Sequence, residues 1–223
     1  MKQLSNDWSI PVIGLTGSIA AGKSLAARML EDMGASVIDA DRLQRVVTAR
    51  GRVAFRMIVE AFGEGILDGK GRIDRAALGG LVFRDREKKR ILESITHAEI
   101  MKAADRRIRR AAAREFKPLF LEAALLVEAG LHHFLDGLVV VVADESVQAG
   151  RMKKNRNMSD EEIRLRLKAQ MSSKRKAEAA DWLIDNNGTK SRLRARVGQV
   201  LGEIRKSRVY TIKKKSWQPA IKR

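Results

Sequence analysis

Residues 17–24 of the chain read Gly17-Ser18-Ile19-Ala20-Ala21-Gly22-Lys23-Ser24. This is the G-x-x-x-x-G-K-S pattern of a phosphate-binding P-loop. An apolar run of strand length, residues 10–16, precedes the loop, and apolar residues recur at helical spacing over residues 25–33. A strand, a glycine loop and a helix in this order aim backbone N–H groups and a positive helix end at one point. We therefore predict a nucleoside triphosphate site; the alternative is a chance match in a glycine-containing turn.

Each residue type in this loop has a physical role. Gly17 and Gly22 permit backbone angles that larger residues rarely adopt. The Lys23 ammonium can reach the β- and γ-phosphates, and the Ser24 hydroxyl can hold Mg²⁺. The predicted nucleotide-binding residues of the loop are Gly17, Ala20, Ala21, Gly22, Lys23, Ser24 and Leu25.

Length and composition bound the class of protein. A chain of 223 residues with 44% apolar residues can form one large domain with small inserted parts and a packed core. The chain has no cysteine, which excludes disulfides and thiolate metal sites. The N-terminus lacks an apolar signal core, and the most apolar later run, residues 138–143, is far too short to span a bilayer. We expect a cytoplasmic protein without a membrane partner.

The net charge of +18 favours anionic ligands, which include nucleotides as well as nucleic acids. Eight Lys and Arg residues follow Glu203, the last acidic residue of the chain. Aromatic residues make up only 4% of the sequence, so side chains on which unpaired bases could stack are scarce. We expect no specific nucleic-acid partner.

Strand and helix patterns alternate along the chain, which predicts an α/β fold: a three-layer P-loop NTPase with a parallel sheet covered on both faces. After the first strand, further strands are predicted at residues 35–39, 118–122, 138–142 and 182–185. Helices are predicted at residues 52–62, 75–82, 86–94, 98–115, 146–154, 160–170, 174–180 and 191–205. Asp74 and Asp85 are predicted N-caps, and Ser159 to Glu162 a capping box.

These patterns predict one P-loop domain over residues 1–205 and a basic, flexible tail over residues 206–223. Within the domain, the helical stretch of about residues 52–114 is too long for a simple crossover and is interpreted as an acceptor-side subdomain. The helices of about residues 146–170 are interpreted as a lid.

Acidic residues follow two predicted strands. Phosphoryl transfer needs positioning, charge neutralisation and a group that takes the proton of the acceptor. Asp41 is the candidate base, and Asp39 is a candidate Mg²⁺ ligand or positioning residue. The alternative is that one of the two only caps the following helix. A parallel sheet would bring Glu122, at the end of the third strand, to the same edge.

Segments outside the P-loop carry a resemblance to a known family. Val37-Ile38-Asp39-Ala40-Asp41-Arg42 and Ala180-Asp181-Trp182-Leu183-Ile184-Asp185-Asn186-Asn187-Gly188 stand at the separation found in dephospho-CoA kinases. Shorter matches at residues 71–78 and 125–128 lie between them. Over roughly residues 10–200, the chain resembles this family.

The resemblance implies that ATP phosphorylates the ribose 3′-hydroxyl of dephospho-CoA to give CoA and ADP, the last step of coenzyme A biosynthesis. It implies that Lys23 and Ser24 hold ATP and Mg²⁺ and that Asp41 takes the hydroxyl proton. It also implies that Arg75 contacts phosphate or the acceptor and that Arg151 lies on the lid side of ATP. The alternatives are that Arg75 is a surface residue of a first helical turn and that Arg151 packs along the lid helix.

The chain also departs from the family pattern. Ala20 and Ala21 stand where the family loop carries more glycine and a serine, and Ala124 stands where proline is usual. A lid arginine of the family falls on Asn155, with Arg156 adjacent. We expect these changes to affect the turnover rate and the affinity for the nucleotide more than the family resemblance.

Two other functions compete with this interpretation: a P-loop kinase for another nucleoside or nucleotide, and an NTPase that binds nucleic acid. The first would not phosphorylate dephospho-CoA, and the ATP hydrolysis of the second would be stimulated by nucleic acid. We expect a monomer or a weak homo-oligomer.

Overall fold

The structure is a computed structural model that describes residues 4–5, 8, 10–113, 118–156, 158–207 and 216–217. The chain divides into two compact units. The first unit is formed by the described parts of residues 1–39 and 108–217, and the second by residues 40–107. Among the described residues, no helix is long and apolar enough to cross a membrane.

The first unit contains a parallel sheet, as predicted. In the described part of the chain this sheet has five strands in the order β3-β4-β2-β5-β6. Their bounds are β2 Val12–Gly17, β3 Ser36–Asp39, β4 Leu119–Glu122, β5 Gly137–Val142 and β6 Trp182–Asp185. Since all neighbours are parallel, the carboxyl ends of β2, β3 and β4 meet at one edge. That edge carries the P-loop, Asp39 and Glu122.

Helices α1 (Lys23–Asp32) and α9 (Lys190–Lys206) cover one face of the sheet. Their apolar residues form one core with Ile13 and Leu15 of β2 and with inward side chains of β4, β5 and β6. Gly14, which alternates with these residues, faces the other way. A Cβ there would meet the side chains of Leu126 and Leu135, so the chain after β4 packs closely on the second face. The sheet is therefore the middle layer of three.

Three helices of the first unit lie between β5 and β6. They are α6 Glu145–Arg156, α7 Asp160–Lys168 and α8 Ser173–Ala177. The predicted capping box opens α7: the Ser159 hydroxyl accepts from Glu162 N, and the Glu162 carboxylate accepts from Ser159 N. These reciprocal bonds satisfy two N–H groups at the helix start. The helix predicted to reach residue 170 ends two residues earlier.

The second unit is helical, with α2 Ala40–Val47, α3 Val53–Phe62 and α4 Arg75–Arg84, and it includes most of α5 Arg86–Ala112. Its small core consists of Ala54, Ile58, Ile66, Leu78 and Ile95. The Asp74 carboxylate accepts from Ala76 N and Ala77 N, and the Asp85 carboxylate accepts from Glu87 N and Lys88 N. Both predicted N-caps are confirmed.

One prediction in this region is wrong. Residues 86–94 and 98–115 were expected to form two helices, but α5 runs through the intervening residues without a break. Residues 95–97 contain no glycine or proline. The Thr96 hydroxyl donates to Leu92 O inside the helix, so this polar group does not interrupt it. The predicted end at residue 115 lies outside the described residues.

The basic tail falls mostly outside the described residues, namely at 208–215 and 218–223. Within the described part, Ser207 ends α9: its N–H donates to Glu203 O and its hydroxyl to Ile204 O. Leu4–Ser5 (β1) pairs antiparallel with Ser216–Trp217 (β7).

Candidate active site

The P-loop leaves β2 at Gly17 and enters α1 at Lys23. A Cβ at Gly17 would lie 2.6 Å from Val141 O of the neighbouring strand, so only glycine fits there. Gly22 has φ +102°, and a Cβ there would overlap the Asn186 amide nitrogen. Ala20 also has a positive φ, +57°. These constraints hold the loop at the N-terminal end of α1, where the positive end of the helix favours phosphate oxygens.

The lysine and the serine of the P-loop both contact one carboxylate oxygen. Lys23 Nζ lies 2.7 Å from Glu122 Oε1, and the Ser24 hydroxyl donates to the same oxygen over 2.8 Å. Glu122 is buried at the end of β4. A buried carboxylate therefore holds both the lysine and the serine of the motif in place.

The two candidate aspartates lie in different surroundings. Asp39 ends β3 and stands opposite Glu122 in the β3–β4 register, so two acidic residues occupy neighbouring strand ends. Asp41 belongs to the first turn of α2, in the second unit. Helix α2 begins at Ala40, directly after Asp39.

Arg151 of α6 contacts the P-loop backbone. Its guanidinium donates to Ala20 O, Ala21 O and Asn186 O over 3.2, 3.3 and 2.7 Å. The buried Asn186 amide donates to Ala21 O over 2.7 Å. These contacts hold the carbonyls of Ala20 and Ala21 in place, and they put Arg151 beside the predicted nucleotide-binding residues.

A second set of contacts holds the start of the loop. Ile19 N donates to the Gln170 side-chain oxygen over 2.8 Å, and the Ser18 hydroxyl donates to Met171 O over 3.2 Å. Met171 N in turn donates to Glu128 Oε1 over 3.4 Å. The segment between α7 and α8 thus connects the P-loop to the chain after β4.

Lys176 of α8 completes this connection. Its side chain is fully buried, and Nζ lies 2.9 Å from Glu128 Oε1 and 2.8 Å from Ala124 O. The hydroxyl of Thr16, at the end of β2, donates to the same carbonyl over 3.2 Å. A buried ammonium is stable only with such partners, since desolvation disfavours an unpaired charge.

The remaining predicted residues are placed as follows. Leu25 of α1 packs against the apolar core behind the loop. Arg75 is the first residue of α4, exposed, and lines a pocket of about 840 Å³ in the second unit. The side chains of Asn155 and Arg156, the alternatives for a lid contact, lie outside the described part of the chain.

The donor set at the sheet edge fits Mg²⁺. Among the described residues there is no group of three or more His, Cys, Asp or Glu side chains suited to a metal. Mg²⁺ needs no such cage, because it keeps waters and is held by one or two protein oxygens together with substrate phosphates. The Ser24 hydroxyl and the carboxylates of Glu122 and Asp39 are oxygen donors of the kind it prefers.

The sequence analysis assigned no role to three residues that contribute to this site: Glu122, Asn186 and Lys176. The predicted position of Glu122, at a strand end on the same sheet edge as the P-loop, could have indicated its role. Asn186 belongs to a segment that resembles the family, which could have indicated its importance. Lys176 gave no signal, because it contacts Glu128, which is distant along the chain.

Comparisons with known proteins agree with this geometry. The family model for dephospho-CoA kinase, CoaE, matches residues 11–191. The dephospho-CoA kinase of Carboxydothermus hydrogenoformans is 38% identical over 192 residues, which are 86% of this chain and 93% of that protein. The dephospho-CoA kinase of Geobacter sulfurreducens is 43% identical over 189 residues, 85% of this chain and 96% of that protein.

Solved structures give the same result. The crystal structure of TT1252 from Thermus thermophilus superposes with a TM-score of 0.78 at 32% identity and covers 87% of this chain and 98% of its own. Dephospho-CoA kinase from Campylobacter jejuni has a TM-score of 0.62 at 27% identity and covers 86% of this chain and 96% of its own. The P-loop, the parallel sheet and these matches together show that the chain belongs to the dephospho-CoA kinase family and is a P-loop kinase.

Proposed function

We propose that the chain transfers the γ-phosphoryl group of ATP to the ribose 3′-hydroxyl of dephospho-CoA, giving CoA and ADP. The observation that supports this most is the meeting of Lys23, Ser24 and Glu122 at the end of a P-loop, in a chain of this family. Glu122 keeps both motif side chains extended toward the phosphate position before the nucleotide arrives.

On the nucleotide side, the loop N–H groups and the start of α1 receive the phosphates. The Lys23 ammonium then neutralises the charge that develops on the γ-phosphoryl oxygens in the transition state. The side chains of Arg151 and Asn186 donate hydrogen bonds to the loop carbonyls. The conformation of the loop is therefore set before ATP binds.

The residues that would hold Mg²⁺ are Ser24 and Asp39, to which the structure suggests adding Glu122. The ion supplies neutralisation of the β- and γ-phosphate oxygens when it is bound. Glu122, which lies 2.7 Å from Lys23 Nζ and accepts from the Ser24 hydroxyl, would supply a carboxylate oxygen to the ion.

On the acceptor side, Asp41 takes the proton of the 3′-hydroxyl as the new O–P bond forms. The bond between the γ-phosphorus and the β–γ bridging oxygen breaks, and ADP leaves. Arg75 contacts the acceptor. Helices α6 and α7 form the lid. The enzyme works in the cytoplasm as a monomer or a weak homo-oligomer, with no specific nucleic-acid partner.

The first experiment is ADP production by the purified protein from Mg²⁺-ATP, with and without dephospho-CoA, and with CoA identified as the product. We expect ADP to depend on the acceptor and CoA to appear in equal amounts. ADP formation without an acceptor, or stimulated by nucleic acid, would contradict the proposal. Phosphorylation of another nucleoside in preference to dephospho-CoA would contradict the assigned acceptor.

The role of Asp41 gives a first prediction. Asp41→Asn should keep ATP affinity but lower kcat about 10²- to 10⁴-fold, the usual contribution of a general base. Single-turnover kinetics and nucleotide titration measure the two quantities separately. Glu60→Gln, an exposed acidic residue on α3 of the same unit, is the matched control and should be unchanged. Near-normal turnover of Asp41→Asn would remove this residue from proton transfer.

A further inference from the structure

The start of the P-loop is held by two residues that lie 151 and 153 positions later in the chain. Ile19 N donates to Gln170 Oε1 over 2.8 Å, and the Ser18 hydroxyl donates to Met171 O over 3.2 Å. The segment between α7 and α8 therefore contacts the loop at two consecutive residues. Since the N–H of Ile19 is bonded within the protein, its effect on a bound phosphate comes through the conformation of the loop.

The bonded residues open a turn that contains an unfavourable backbone conformation. Ala21 N donates to Ser18 O over 3.1 Å and closes the turn. Inside it, Ala20 has φ +57°. A residue with a Cβ is disfavoured in the left-handed region, so surrounding contacts must select this conformation over a relaxed one. The bonds of Ser18 and Ile19 to the later segment restrain the first half of the turn.

The segment that carries Gln170 is anchored on both sides. Gln170 N donates to Leu167 O, in the last turn of α7, over 3.4 Å. Met171 N donates to Glu128 Oε1 over 3.4 Å, and the same oxygen lies 2.9 Å from Nζ of the buried Lys176. The side chain of Gln170 therefore extends toward the loop from a backbone that is itself restrained.

These anchoring contacts return to β2, the strand that leads into the loop. Lys176 Nζ donates to Ala124 O over 2.8 Å, and the Thr16 hydroxyl donates to the same carbonyl over 3.2 Å. The contacts thus form a closed ring that leaves β2 at Thr16 and comes back to the loop at Ser18. All members of the ring belong to the first unit. In such a network each group is restrained from two sides, so the groups restrain the loop together.

We propose that Gln170 is a positioning residue for ATP: its amide oxygen holds the start of the P-loop in the conformation that receives the phosphates. Gln170 acts through Ile19 N and the loop backbone, without contact with the nucleotide. A loop that leaves this conformation part of the time binds ATP more weakly, in proportion to the fraction that remains competent. The inference rests on the proposed function for ATP as the nucleotide, and it does not depend on dephospho-CoA as the acceptor.

The test uses Gln170→Met, which keeps the length of the side chain and removes the amide oxygen. Calorimetry without an acceptor gives the dissociation constants for Mg²⁺-ATP and for inorganic tripolyphosphate with Mg²⁺, which has the phosphates without the nucleoside. We expect both constants to rise by the same factor, about 2- to 10-fold, the change that corresponds to one hydrogen bond. Gln199→Met, at an exposed glutamine of α9 that bonds Glu203, is the matched control and should leave both constants unchanged.

A second substitution tests whether the effect passes through the loop. Glycine adopts positive φ as readily as negative φ, so it needs less support from the surrounding contacts. In the Gln170→Met background, Ala20→Gly should return both dissociation constants to within about 2-fold of the native values. A role of Gln170 in general stability alone gives no such rescue.

The outcomes separate this proposal from the proposed function. Native dissociation constants in Gln170→Met would overturn the positioning role, as would a loss that Ala20→Gly does not restore. A loss for ATP that tripolyphosphate does not share would also overturn it, because Gln170 would then act on the nucleoside. Partial unfolding lowers the number of sites per chain in calorimetry and not the affinity of each site. If the native chain binds ATP but does not phosphorylate dephospho-CoA, the proposed function fails, and the binding data still decide the role of Gln170.

Discussion

At the scale of single residues, Ala20 carries the strain of the P-loop. Its φ of +57° is in the left-handed region, and among the described residues it is the one non-glycine residue there. For a residue with a Cβ this conformation costs about 1–2 kcal/mol relative to the right-handed one. The contacts of Arg151 and Asn186 with the loop carbonyls hold the backbone in this conformation. The alanine that departs from the family pattern therefore stands where glycine would be relaxed.

This strain leads to a prediction. Ala20→Gly should raise the free energy of unfolding by up to about 1 kcal/mol, because relief of strain exceeds the greater flexibility of glycine in the unfolded chain. Urea denaturation measures the change. The control is Ala21→Gly at the next, buried position, where φ is not positive and glycine should destabilise by about 0.5–1 kcal/mol. Equal losses in the two variants would show that Ala20 is not strained.

At the scale of elements, a buried ion pair joins α8 to the chain after β4. The Lys176 side chain is 0% exposed and that of Glu128 is 23% exposed. Removal of one partner of a buried pair leaves an uncompensated charge, which commonly costs about 3–5 kcal/mol. Partial access of water to Glu128 reduces this cost. The pair also supports the segment that bonds Ser18 and Ile19 of the P-loop.

We predict that Glu128→Gln lowers the free energy of unfolding by about 2 kcal/mol, the discounted value for a partly exposed pair. Chemical denaturation without nucleotide is the measurement. Lys153→Met breaks an exposed pair with Asp160, whose side chains are 54% and 80% exposed, and serves as the control. It should cost less than about 1 kcal/mol. A loss in Glu128→Gln no larger than in this control would mean that water already compensates Lys176.

The sequence predicted the strands well because each is a short apolar run with a clear end. The run Leu138 to Val142 and the acidic ends Asp39 and Glu122 were enough to predict the sheet edge. Helix α2 was not among the predicted helices, because its eight residues, half of them polar, are too few to show a clear helical period. The link between Lys176 and Ala124 joins residues 52 apart, and no local pattern encodes such a contact.

At the scale of the whole molecule, charge is distributed unevenly along the chain. The net charge is +18, and residues 208–223 contribute six Lys and Arg residues and no acidic residue. The described structure shows where the ordered helix before them ends. Apolar residues of α9, the last of them Ile204, are buried in the core of the first unit. Ser207 satisfies carbonyl groups of the final turn. A truncation after Ser207 therefore keeps the helix intact.

We predict that a chain ending at Ser207 keeps its KM values for ATP and dephospho-CoA but elutes from an immobilised polyanion at lower salt. Six fewer positive charges mean fewer counterions released from the polyanion on binding, so the salt dependence should also become shallower. The control carries the full length with the six basic residues replaced by Gln, which preserves the segment and removes only its charge. If the truncated chain elutes later than this control at the same ionic strength, other residues of the segment weaken retention. If both elute with the native chain, the basic segment has no electrostatic role, and attraction to polyanions comes from arginines elsewhere in the chain.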